Sequence, residues 1–210
     1  MALSKIDVSN MLDETLPVAN GGTGVTTAAA LANTGNLVKI STATLSSDSL
    51  AEFDLDSTYD HYIFRFSKVH GSSDDDDFRF DASLTSDTDY GSATLTYLLI
   101  RDSQSESSGN LVANNAASST GTLGIAQLFK GASADSDHCL DGTFEIFNPA
   151  STTFTKGFTS MISGVQYANN VRRERVTGDI RSSTAVDKIK FFFQDGNLDS
   201  GTITQYGVKT

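Results

Sequence analysis

The chain has no tryptophan, one cysteine and two prolines among 210 residues. A lone Cys139 excludes an intrachain disulfide framework and any multi-cysteine zinc site, suits assembly in a reducing cytoplasm, and reads most simply as a small buried residue. Basic residues are scarce as well: 15 Lys and Arg face 26 Asp and Glu, a net charge of −11 that repels phosphate backbones and anionic membrane surfaces. Nucleic-acid partners are therefore not expected. No apolar run approaches the ~20 residues of a membrane span, and Met1 to Asp13 lacks the apolar core of a secretory signal, so neither membrane insertion nor export through a cleavable leader is expected.

What the chain does contain is Ser, Thr, Asp, Gly and Asn, the residues of turns, together with 13 Phe and 6 Tyr to fill a core. The length fits one β-sandwich with an extension. Residues 1–36 form the extension. They hold no aromatic residue and cannot build a core alone. Within them, Thr26 to Gly35 combines an N-capping Thr, an alanine run and a closing Gly, which predicts one short helix that needs a partner to be stable.

From Leu37 the pattern has period two. Tyr62, Phe64 and Phe66 share one face; so do Phe78, Phe80, Ala82 and Leu84; Ala93, Leu95, Tyr97 and Leu99; Phe144 and Ile146; Ile189, Phe191 and Phe193. Turn-rich segments such as Gly71-Ser72-Ser73 and Asp195-Gly196-Asn197 separate them. Residues 37–210 are thus expected to fold as an all-β head, an antiparallel β-sandwich of jelly-roll-like kind. The polar run from Ser103 to Thr122 reads as a long loop that projects outward.

One stretch carries a resemblance. Leu16-Pro17-Val18-Ala19-Asn20-Gly21-Gly22-Thr23-Gly24, followed by Val25-Thr26-Thr27-Ala28-Ala29-Ala30 and preceded by Ser4-Lys5-Ile6-Asp7, resembles a segment that recurs in tail fibre proteins of tailed bacteriophages, where it joins a particle-bound end to a distal domain. Phe53 to Phe64 and the closing Gly201-Thr202-Ile203-Thr204-Gln205-Tyr206-Gly207-Val208-Lys209 look like the first and last strands of a family of phage structural proteins. The resemblance implies a structural, non-enzymatic virion appendage, assembled in the host cytoplasm and displayed on the particle. It also implies a homotrimer in which residues 1–36 dock and trimerise while 37–210 face outward, with no C-terminal self-cleaving chaperone after Thr210. Other virion proteins are the implied partners, and a host surface glycan is a candidate partner. A capsid or tail decoration subunit without receptor contact is the alternative, and a glycan-degrading tailspike the third.

Candidate sites are few. Asp74 to Asp77 invites a cation, with Asp74 and Asp76 on one side, but lacks the ligand spacing of a calcium loop and reads as a solvated turn before the Phe78 strand. His61, His70 and His138 stand apart, and the adjacent His138 and Cys139 diverge if they lie on a strand. Gly21-Gly22-Thr23-Gly24 has no following Lys and is not a phosphate loop. Val171-Arg172-Arg173-Glu174-Arg175 is the densest basic cluster, suited to an acidic neighbour or an anionic sugar, with a solvated strand face as the default. Tyr59, Tyr90 and Tyr167 are candidates for stacking on sugar rings. No residue is assigned to catalysis, and no cofactor is expected.

Overall fold

The computed structural model describes residues 37–86, 90, 93–105, 108–116 and 125–208. The arm of residues 1–36, with the Leu16–Gly24 motif and the helix expected after it, lies outside the described residues. The chain divides between Val38 and Lys39 into two units, of which the second is described below.

Alternating bulky and polar side chains produce twelve strands: β1 (Leu37–Leu45), β2 (Ala51–Asp54), β3 (His61–Gly71), β4 (Asp76–Leu84), β5 (Leu95–Ser105), β6 (Ser108–Ala116), β7 (Ile125–Ala132), β8 (Leu140–Phe147), β9 (Lys156–Gln166), β10 (Asn170–Ile180), β11 (Val186–Phe193) and β12 (Leu198–Val208). Their pairing is antiparallel, and the order falls into two rows, β1-β12-β3-β8 and β2-β11-β4-β7. Among these eight strands the first pairs with the last, the second with the seventh, the third with the sixth and the fourth with the fifth. A single long hairpin folded over itself in this way is a jelly roll. The hairpins β5–β6 and β9–β10 are inserted into it and prolong the first row as β8-β9-β10-β5-β6.

At one margin the rows meet through a single residue pair, Ala132 with Gln166, which nearly closes the sheet into a barrel. At the other margin β1 and β2 end the rows, each with one neighbouring strand. Between the rows lies the phenylalanine core. Phe191 of β11 sits within 5.0–6.2 Å, centroid to centroid, of Phe53, Phe64, Phe66, Phe78 and Phe144, mostly edge to face. Phe80 reaches across to Phe144 and Phe158 at 4.6 and 4.8 Å. Such pairs add about 0.5–1.5 kcal/mol each beyond area burial, which is how the chain holds two large sheets together without tryptophan.

The run Ser103 to Thr122 departs from the loop expected of it. β5 continues through Ser105, and β6 returns antiparallel from Ser108 with Leu99 opposite Ala116. A strand pair satisfies its backbone through the ladder whatever its side chains, so a polar composition did not prevent strand formation.

Candidate functional site

The acidic run is a set of loop anchors. Asp74 Oδ1 accepts from the Ala134 amide at 2.8 Å in the β7–β8 loop. Asp76 is buried, and its carboxylate accepts from the amides of Asp195 and Gly196 in the β11–β12 loop. Asp77 accepts from the Gly131 amide and pairs with Arg79 at 3.1 Å. Asp74 and Asp76 thus point to different loops, and Asp74, Asp76 and Asp77 each already hold a backbone donor. The solvated turn expected here is solvated only at Asp74 and Asp75, because Asp76 is turned inward to cap the opposite loop. Among the described residues no group of three His, Cys, Asp or Glu side chains is placed to hold a metal.

Near the same end, His70, His138, Cys139, Lys68, Asp137 and Asp199 line a pocket of about 420 Å³. His138 and Cys139 occupy the loop before β8 rather than a strand, so they line one pocket instead of diverging. Cys139 is half-buried, not fully packed away, and its thiol faces Asp141 Oδ2 at 3.6 Å. Burial and the Asp141 carboxylate push the thiol pKa up, which disfavours the nucleophilic thiolate. His138 lies nearest Asp135 and Asp137, at 3.7 and 3.9 Å. His61 is elsewhere, on the outer side of β3, bonded to Glu145 at 2.9 Å and stacked on Phe147.

The Val171–Arg175 cluster is split by the pleat of β10. Arg172 and Glu174 turn inward, and Glu174 is wholly buried, meeting Arg101 Nε at 2.5 Å while Arg172 donates to the Lys130 carbonyl. Only Val171, Arg173 and Arg175 keep the solvated face expected for all five.

A second concavity lies at the open margin. Ile40, Ser41, Thr42 and Ala43 of β1 form one wall, Glu52, Phe53 and Asp54 of β2 the other, and Asp56, Tyr59, Tyr62 and Gln205 the rest, around about 430 Å³. Tyr62 sits on the inward side of β3, and its hydroxyl donates to Asp56 Oδ1 at 2.7 Å and accepts from the Asp56 amide at 3.1 Å. That hydrogen bond, with the Thr58 amide, holds the Asp56 carboxyl below its ordinary range. Burial, with Asp56 beside it, drives the Tyr62 phenol well above its own. Gln205 bridges the two rows: its amide donates to the Asp54 carbonyl at 2.7 Å and accepts from the Ser41 hydroxyl at 2.9 Å.

Tyr59 completes the wall. Its ring stands edge to face with Tyr62 at 5.6 Å and lies over Gly207, where any Cβ would fall 2.4 Å from the ring. A glycine is needed at 207 for the ring to rest there. The lining carries three carboxylates and, among the described residues, no Lys, Arg or His. Of the three tyrosines considered for sugar stacking, only Tyr59 reaches this groove; Tyr90 donates to Glu52 at 2.8 Å just outside it, and Tyr167 is exposed beside Gly131. Asp56 and Gln205 lie in the segments that resemble the first and last strands of phage structural proteins but had no site role there, although a glutamine on the inward side of an alternating strand, Ile203-Thr204-Gln205, is the kind of polar residue at a core position that marks a built hydrogen-bond site.

Comparison with family models, with curated proteins and with solved structures finds no match to this chain.

Proposed function

We propose that the protein is a structural virion subunit of a tailed bacteriophage, a short tail-fibre or appendage protein whose jelly-roll head is presented to the outside. The observation that carries this reading is the Leu16–Gly24 segment with its Ala-rich continuation, placed directly ahead of a jelly-roll head. Jelly rolls are common in capsid and carbohydrate-binding domains, which supports the reading at the level of the fold alone.

Host attachment draws support from the groove between β1 and β2. A tyrosine ring beside carboxylate, amide and hydroxyl groups, with no basic residue among the described residues of the lining, suits a neutral sugar, which stacks its apolar face and donates its hydroxyls. Single sites of this kind bind weakly, and three copies on one appendage gain by avidity. The alternative, a decoration or adaptor subunit, shares the fold and leaves the groove empty.

Quantitative mass spectrometry of purified particles tests the role. A virion subunit is expected in stoichiometric amount with the other structural proteins; its absence from particles of a phage that expresses it overturns the proposal. Binding of the purified protein to host cells, abolished by Tyr59→Ala, separates attachment from decoration.

A further inference from the structure

The outer side of the inserted strands carries a patch that the particle role does not explain by itself. On β10 the outward residues are Val171, Arg173 and Arg175; Met161 of β9 stands opposite Arg175, and Asp102 and Ile100 of β5 flank Arg173 and Arg175 from the other side. Leu98 follows one step along β5. Leu98, Met161 and Val171 are 53%, 51% and 62% exposed on this one sheet face, Leu98 and Met161 two rungs of the ladder apart and Val171 further along β10. Arg173 and Arg175 both reach the same oxygen, Asp102 Oδ2, at 2.8 and 3.4 Å, so two guanidiniums share one carboxylate. Positive charge is thus in local surplus on a chain whose net charge is −11.

We infer that this face of β9, β10 and β5 is where a second copy of the chain docks. Charge selects the partner: every copy is strongly acidic, so an apolar patch with surplus arginine finds its complement on another copy's surface. Met and Arg are also enriched at interface centres. Charge selects the geometry too. In a two-fold contact Arg173 and Arg175 would face their own counterparts, whereas a head-to-tail contact of the kind that builds a ring sets them against a different, acidic surface. The patch spans roughly 400 Å² from strand spacing and residue rise. That is about half of what one partner gives to a standard interface, so the contact takes in surface beyond these three strands.

The inference rests on the oligomeric appendage reading and adds a contact between heads to the trimerisation which that reading places in residues 1–36. Size-exclusion chromatography with light scattering on the full chain tests it, comparing wild type with Arg173→Glu/Arg175→Glu and, separately, with Leu98→Ser/Met161→Ser, each checked for native circular dichroism. Wild type is expected to be oligomeric, and both folded variants to be weaker oligomers, with a dissociation constant raised roughly 30-fold or more. Folded variants that stay oligomeric at wild-type affinity overturn this face and leave the particle role standing. A monomeric wild type overturns this face and the trimer together, while particle composition still reports on the virion role. A monomeric wild type retained on an immobilised anionic polysaccharide reassigns the arginines to an anionic glycan.

Discussion

Arg101 Nε donates to Glu174 Oε1 at 2.5 Å from the adjacent strand, where the two residues are direct partners in the β5–β10 ladder, and the glutamate has no exposed surface at all. An ion pair this deep fixes which residues of an inserted hairpin face inward. It does so at a desolvation cost that makes each partner depend on the other. Glu174 Oε2 and Arg172 Nε have no hydrogen-bond partner among the described residues, so the pair sits in a sparsely satisfied polar island.

Arg101→Met removes the nearer of Glu174's two cations, leaving Arg172 at 3.8 Å, and is expected to cost about 3 kcal/mol in urea unfolding. Arg101→Met with Glu174→Leu is expected to recover most of that loss, because an apolar pair of similar volume has no charge to desolvate. Equal destabilisation by the single and double variants would show that the pair is not coupled.

The same glutamate gives a pH dependence. Burial raises the Glu174 carboxyl above its ordinary value of 4.5, outweighing the opposing pull of Arg101. The folded state therefore keeps this proton to higher pH than the unfolded chain does. Its contribution to stability is complete below about pH 4.5 and is lost as pH rises through the folded value. Glu174→Gln is expected to flatten the stability profile across that window, measured by urea midpoints at successive pH; an unchanged slope contradicts the shift.

Phe191→Ala removes the ring that five other phenylalanines touch and is expected to cost about 3–5 kcal/mol, read from chemical denaturation. Phe154, 71% exposed, serves as the control, and its alanine variant is expected to stay within about 0.5 kcal/mol of wild type.

The fold was legible in the sequence because Phe64, Phe80, Phe144 and Phe191 recur with a strand's period, and a core aromatic at every second position leaves few alternatives. The loops were less legible. Asp76 and Asp75 are neighbours of one type, and only the arrival of the β11–β12 loop, more than a hundred residues later, turns one inward and leaves the other in solvent. Glu174 is hidden for a related reason: between two arginines it reads as one more surface charge until β5 supplies Arg101. The groove was half legible, with Tyr59 noted for its ring while Asp56 and Gln205 acquire their roles only through partners on other strands.

Asp76→Ala frees the amides of Asp195 and Gly196 and is expected to cost about 1–3 kcal/mol, whereas a chelator is expected to leave the melting temperature of the wild type unchanged. A fall in melting temperature on adding chelator, reversed by calcium, would mean that the acidic run holds an ion after all.

The thiol of Cys139 is expected to react with iodoacetamide at pH 7.5 more slowly than a free cysteine, because burial and Asp141 raise its pKa. Asp141→Asn is expected to speed the reaction.

The most direct measurement of the central claim is electron microscopy of intact particles labelled with an antibody against residues 39–208. Label confined to projecting appendages, with several copies at each, is the expected result. Particles that carry no label, from infected cells in which the protein is abundant, would contradict it.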